Sequence, residues 1–155
     1  MNINEAMLID IDNCIVDTRC QEKYFPADLR SREGWDNAHK YIDEYTEIQV
    51  MCDLLVMHAL ANKVYPIFIT SREDINGVRE ATEALIAEVF CDLNHILLMR
   101  KAYDYRSPLE VKSDLLIEAK MCCDKIVLGL DDREDICKMY SDNGIPTLQF
   151  RFGKE

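Results

Sequence analysis

The sequence predicts a three-layer α/β domain, a parallel central sheet with helices on both faces. Two observations carry the prediction. Apolar strand-like runs recur at residues 6–11 (AMLIDI), 64–70 (VYPIFIT), 95–99 (HILLM), 125–130 (KIVLGL) and 146–152 (PTLQFRF), with helical patterns between most of them. Strands that alternate with helices build parallel sheets. The chain also has 155 residues, the size of one domain able to bury a core without disulfide support. Residues 1–155 are therefore expected to form a single domain.

Taken in order, the first strand ends in two carboxylates, Asp10 and Asp12. Residues i and i+2 of a strand share a face, so the two acids should stand side by side where the strand gives out. Close anions repel, and the pair calls for a cation or for a proton shared between two tasks. The next segment, TRCQEKYFPADLRSREGWD (18–36), is neither strand nor clean helix; it holds three aromatics (Tyr24, Phe25, Trp35), four basic residues and a proline. It reads as a short flap over the end of the first strand, too small to be a cap domain. The longest helical pattern starts near Asp36, a plausible N-cap, and places Ile42, Tyr45, Ile48, Met51, Cys52, Leu55, Val56 and Ala59 on one stripe.

VYPIFIT ends in Thr70-Ser71-Arg72-Glu73, and a second helix fits residues 75–90. HILLM runs into a polar stretch from Arg100 to Lys112, within which Pro108 suits the first turn of a third helix. KIVLGL leads to Asp131-Asp132-Arg133; a fourth helix follows the DDRED segment and stops at Asn143-Gly144.

Composition narrows the function. The formal charge of -11, from 29 acidic against 18 basic residues, disfavours passive adhesion to nucleic acid or anionic lipid. A phosphate-bearing substrate must then meet a local positive site. Seven cysteines without a CxxC pair read as reduced thiols in a cytosol. His39, His58 and His95 match no zinc spacing and read as structural. No apolar stretch approaches the roughly 20 residues of a membrane helix, and the expected location is cytoplasmic.

Ligands of parallel sheets bind beyond the carboxyl ends of the strands. Four polar clusters fall at that edge: Asp10 and Asp12, then Thr70-Ser71-Arg72-Glu73, then Arg100 to Lys112, then Asp131-Asp132-Arg133. Each has a plainer reading: Thr70 and Ser71 could cap a helix, Asp131 and Asp132 could sit at a helix N-terminus, and Arg72, Arg100 and Arg106 could be solvated. Lys112 lies in the first turns of a helix, where a cation opposes the dipole. Together, paired carboxylates, a hydroxyl, a lysine and a second acidic pair compose a phosphoryl-transfer site. Magnesium prefers oxygen ligands and would let the carboxylates coexist.

These segments carry a resemblance. IDIDNCIVD resembles the DxDx(T/V) motif of the haloacid dehalogenase (HAD) superfamily of phosphohydrolases; IFITSRE, Lys112 in PLEVKSDLL and GLDDRED resemble its second, third and fourth motifs, in the family's order. More narrowly, TSRE, LLMRKAYDYRSPLEVK and LDDREDICKMYSDNGIPTLQ are similar to 3'-phosphatase domains of the phage polynucleotide kinase/phosphatase type. The shared features include an arginine twelve residues before the motif lysine (Arg100), an Asp-x-Arg (Asp104, Arg106) and the DDR tripeptide. The resemblance departs at Asn13-Cys14, where the family often has Gly-Thr, and at Pro108, where such phosphatases have an acid. No GxxxxGK(S/T) kinase loop is present.

The resemblance implies a Rossmann-like HAD fold with a minimal cap. It implies Asp10 as nucleophile, Asp12 as general acid and then base, and Thr70 and Lys112 on the phosphoryl oxygens. Ser71, Arg72, Arg100 and Arg106 would bind substrate. Magnesium would be held by Asp10, Asp132 and the main-chain oxygen of Asp12, with Asp131 steadying a metal-bound water or Lys112. The implied activity is a magnesium-dependent phosphomonoesterase acting through an aspartyl-phosphate on 3'-phosphates of polynucleotide ends or nucleotides. A 5'-deoxynucleotidase or small-metabolite phosphatase keeps the chemistry and changes the substrate, and a non-catalytic binding or regulatory module keeps only the fold. A separate kinase or ligase chain is an open partner.

Overall fold

The computed structural model describes residues 3–24, 45–91 and 93–151. Its elements are β1 (Ile3–Ile9), β2 (Val16–Asp17), a 3-10 helix (Arg19–Tyr24), β3 (Thr46–Glu47), α1 (Gln49–Asn62), β4 (Tyr65–Glu73), α2 (Val78–Val89), β5 (Ile96–Arg100), α3 (Pro108–Cys122), β6 (Cys123–Asp131), α4 (Glu134–Asp142) and β7 (Thr147–Gln149). Five strands form the main sheet in the order β5-β4-β1-β6-β7, and every pairing in it is parallel. The α/β architecture is the one the alternation of strands and helices predicts.

β1 is the middle strand because it can be buried on both sides. Ala6, Met7, Leu8 and Ile9 have no exposed surface. Met7 and Ile9 pack with Cys52, Leu55 and Ala59 of α1 and Ile86 of α2, whereas Ala6 and Leu8 pack with Val111 and Leu115 of α3 and Ile136 and Tyr140 of α4. A strand covered twice has no solvent face and so needs no polar alternation. Gly129 brings β6 and α4 together, since a Cβ there would stand 2.7 Å from the Tyr140 ring.

Helix starts follow local chemistry. α3 has Ser107 as N-cap, Pro108 in its first turn and a reciprocal capping box with Glu110. α2 begins at Val78, three residues later than the helical pattern suggests, because Asn76 and Gly77 both take positive φ (52° and 83°). α4 begins inside the DDRED segment, at Glu134.

One expected helix is shorter than the pattern predicts. Tyr45 and Ile48 fit the helical stripe, yet Thr46–Glu47 is a strand paired antiparallel with Val16–Asp17, and α1 starts only at Gln49. The Ile48 amide donates to the Ile15 carbonyl at 2.8 Å, so backbone pairing with the first loop wins over helical continuation. Asp36 and Ile42, like Phe25 and Trp35 of the expected flap, lie outside the described residues. β4 also runs past Thr70 to Glu73. Among the described residues no helix is long and apolar enough to cross a membrane.

Candidate active site

β1 stops at Ile9, and the chain turns immediately. The amide of Asp10 still donates to Leu130 O of β6 at 3.0 Å, which fixes the residue at the sheet edge. The amides of Cys14, Ile15 and Val16 then all point to Ile11 O, within 3.0–3.2 Å, a turn that requires Asn13 at φ 58°. Asparagine tolerates that left-handed conformation. Its side chain is used as well: the Asn13 amide oxygen accepts from Thr18 Oγ1 at 2.8 Å, which turns Nδ2 toward the Asp132 carboxylate at 3.5 Å.

Asp10 and Asp12 have separate partners. Lys112, from the second turn of α3, places Nζ 2.7 Å from Asp10 Oδ1 and 2.7 Å from Asp131 Oδ2, and all three side chains are buried. Asp131 Oδ1 also accepts from the Arg133 amide at 3.0 Å, so its orientation is set from two sides. Asp12 instead meets Arg72, whose Nη2 lies 2.8 Å from Oδ1 and whose Nε lies 3.1 Å from Oδ2. Nη1 of the same guanidinium donates to Thr82 of α2 at 3.2 Å, and the Tyr45 ring lies 4.8 Å from its central carbon.

The remaining predicted residues divide. Thr70 is fully buried and its Oγ1 accepts from the Arg72 amide at 3.2 Å, leaving the hydroxyl proton to donate elsewhere. Ser71 Oγ is buried and has no hydrogen-bond partner among the described residues. Arg100 donates to three main-chain carbonyls, those of Ser71, Asp104 and Arg106, at 2.7–2.8 Å. Arg106 is exposed and ion-paired to Asp104 and Asp114. In their described contacts these two arginines organise the loop before α3.

Charge in the buried centre is unbalanced. Burial raises Asp10 well above the usual carboxylate range and Asp131 adds to this, while Lys112 offsets part of it. Burial and Asp131 raise Asp132 in the same way. For Lys112, burial opposes the ammonium, but Asp10 and Asp131 outweigh it and hold the proton far more firmly than usual. One ammonium thus faces three carboxylates. That deficit, with oxygens of Asp10 and Asp132 close together, fits a divalent cation. Burial, and then the carboxylates of Asp10, Asp131 and Asp132, keep the nearby Cys14 thiol protonated.

Beside Asp132 opens a cavity of about 430 Å³ lined by Asn13, Arg19, Gln149, Phe150 and Arg151 among others. None of these five belongs to the residues singled out from the sequence for substrate or metal. Their only advance signal is position, since they flank the first and fourth motifs.

The comparison that decides the family covers nearly the whole chain: residues 4–154 match the family described as the polynucleotide kinase PNKP phosphatase domain. The chain belongs to that family. It is thereby a HAD-type phosphatase domain. Two solved structures are similar to it in fold. One is titled "Structure of Pnkp1/Rnl/Hen1 complex", with TM-score 0.70 and 21% identity over 99% of this chain and 48% of that one. The other is "Structure of the Pnkp1/Rnl/Hen1 RNA repair complex", with TM-score 0.69 and 22% identity over 99% of this chain and 44% of that one. The chain spans about half the length of these relatives. No curated protein matches the sequence.

Proposed function

We propose that this PNKP-type phosphatase domain is a magnesium-dependent phosphomonoesterase that removes 3'-phosphates from polynucleotide ends or nucleotides. The single observation that carries the chemistry is the division of the two acids, Asp10 on Lys112 and Asp12 on Arg72. A nucleophile and a general acid must differ in environment to differ in task.

In this reading Asp10 and Asp132, with the main-chain oxygen of Asp12, hold Mg²⁺. When bound, the ion balances the carboxylates and draws charge from the phosphoryl oxygens. Lys112 and the hydroxyls of Thr70 and Ser71 hold those oxygens, and Asp131 holds Lys112 in place. An Asp10 oxygen attacks phosphorus while the bond to the leaving oxygen breaks, and Asp12 gives that oxygen its proton. The product alcohol departs and leaves an aspartyl-phosphate. Asp12, now a carboxylate, takes a proton from water as the water oxygen attacks phosphorus. The bond from phosphorus to Asp10 breaks, and inorganic phosphate leaves with the carboxylate restored. Arg72 aims Asp12 throughout, and Arg100 holds the loop that carries Ser107 and α3.

The polynucleotide class is supported by the family's description and by the cavity beside Asp132, where Arg19 and Arg151 supply positive charge in an acidic chain and Phe150 an aromatic surface. Arg19 is paired with Asp17, and Arg151 with Glu134 and Gln149. The charge of -11 favours a terminal nucleotide over a long duplex. A kinase or ligase acting beside this chain is part of the same reading, because the solved relatives are about twice as long and one title names an RNA repair complex.

The deciding experiment is a panel of phosphomonoesters, assayed with Mg²⁺ and with chelator. It should contain 3'- and 5'-nucleotides, a sugar phosphate and a 3'-phosphorylated oligonucleotide. Release of phosphate from the oligonucleotide 3' end at the highest kcat/KM is expected. Preference for the sugar phosphate or the 5'-nucleotide overturns the substrate assignment, and hydrolysis undiminished by chelator overturns the metal.

A further inference from the structure

Cys14 stands where the resembled motif carries Thr or Val, and its side chain is not simply core filler. It has no exposed surface, packs in the core cluster with Ile11 and Ile15, and makes no hydrogen bond to a described residue, while its sulfur lies near the carboxylates of Asp10 and Asp132. Its Sγ, a carboxylate oxygen of Asp10 and a carboxylate oxygen of Asp132 all lie within 4.8 Å of one another. Among the described residues this is the one group of three acidic, thiol or imidazole side chains so placed. Metal bonds of roughly 2.0–2.3 Å to oxygen and sulfur bridge such a gap with slight inward rotation of the side chains.

Ligand softness decides what such a trio prefers. Magnesium takes oxygen and dehydrates reluctantly, so a sulfur adds nothing to its coordination. Thiolates favour zinc and other soft ions over magnesium. We propose that Cys14, with Asp10 and Asp132, makes this centre a binding site for thiophilic divalent cations such as Zn²⁺ and Cd²⁺, which compete with Mg²⁺ for the same carboxylates. On binding, the thiol gives its proton to solvent and the sulfur lone pair to the metal. The consequence is a phosphatase centre arrested by thiophilic ions at concentrations where Mg²⁺ is still abundant. The inference rests on the metal centre proposed above.

The test uses the whole chain and Cd²⁺ alone, with Mg²⁺ titrated separately, followed by calorimetry and by thiolate-to-cadmium charge-transfer absorption. Other cysteines also bind Cd²⁺, so the reading is the difference between wild type and Cys14→Ser. The expected result is loss of one charge-transfer step and at least about tenfold weaker Cd²⁺ binding, with Mg²⁺ affinity altered less than about twofold. Cys14→Thr, which restores a residue of the resembled motif, should behave in the same way and serves if the serine variant does not fold. Equal Cd²⁺ affinity and equal absorption in wild type and a folded variant overturn the proposal. Asp132→Asn separates the two claims. If it abolishes Mg²⁺ binding while the Cys14 variants leave Cd²⁺ binding intact, the metal centre stands and the role of Cys14 is refuted. If it changes neither Mg²⁺ nor Cd²⁺ binding, the centre and this inference fall together.

Discussion

Arg72 grips Asp12 through two nitrogens, Nη2 at 2.8 Å from one carboxylate oxygen and Nε at 3.1 Å from the other. A fork this well matched fixes the direction of the carboxyl group. Lysine keeps the charge and loses the fork, so Arg72→Lys should lower kcat by about 10- to 100-fold, short of the roughly 10²–10⁴ contributed by a positioned general acid. KM should move little, because Arg72 is spent on Asp12 and Thr82. Steady-state kinetics with the 3'-phosphorylated oligonucleotide separates these effects; a rise in KM at constant kcat would mean that Arg72 binds substrate directly.

Asp10→Asn should be inactive and Asp12→Asn strongly slowed, and the two should differ in what they accumulate. The first cannot form an aspartyl-phosphate, since the amide is nearly isosteric but not nucleophilic. The second retains the nucleophile and loses the proton carrier, so formation and breakdown of the intermediate both slow. Rapid quench with labelled phosphomonoester, read by mass spectrometry of the peptide containing Asp10, distinguishes the two. Labelled phosphate on any other residue sinks the mechanism.

Lys112 is buried between Asp10 and Asp131, and its removal leaves two carboxylates without their cation. Lys112→Met should therefore destabilise the metal-free protein by about 3–5 kcal/mol, the cost of breaking a buried pair. Adding Asp131→Asn should recover part of that loss. Urea melts of the two single variants and the double variant supply the cycle. Equal destabilisation in single and double variants would show that the ion pair is not the source.

Magnesium should raise the stability of the wild-type chain by about 2.7 kcal/mol at a concentration 100 times its dissociation constant, if it binds only the folded state. Asp132→Asn should abolish most of this increment by removing a proposed ligand. Thermal unfolding across a Mg²⁺ series tests both statements.

Arg106 holds the Asp104 carboxyl down at about 2. Its ordinary value is about 3.9. A carboxylate held low in the folded state adds stability above its unfolded value and loses it as pH falls through the folded one. Wild type should exceed Asp104→Asn in unfolding midpoint above about pH 5, and the two curves should converge toward about pH 2.

How much of this was legible in the sequence depends on distance along the chain. The four polar clusters could be placed at one edge because each directly follows an apolar strand run, and strand ends of a parallel sheet share an edge. Lys112 stood out because a cation in the first turns of a helix needs a reason. The partners were less visible. Arg72 and Asp12 are 60 residues apart, and no spacing rule links a β4 side chain to the turn after β1. Arg100 reads as a free cation until its three carbonyl acceptors are seen. The β2-β3 pairing was hidden because Tyr45 and Ile48, on either side of the two-residue β3, satisfy helical periodicity, and the competing acceptor for the Ile48 amide, Ile15 O, lies in a loop far back in the chain. Asn13 stands out in the sequence only as a departure from the resembled motif, and nothing there shows that its amide would face Asp132.

The placement of β1 in the middle of the sheet has a dynamic consequence. Local opening begins where few neighbours hold a strand, and β7 is a three-residue edge strand with Leu148 exposed. Amide protons there should exchange with solvent through fraying. The Asp10 amide, bonded to Leu130 between two fully paired strands, should exchange only when the whole sheet unfolds. The rim of the sheet can therefore breathe while Asp10 keeps its position, a separation that hydrogen–deuterium exchange at single-residue resolution would record as two widely different opening free energies.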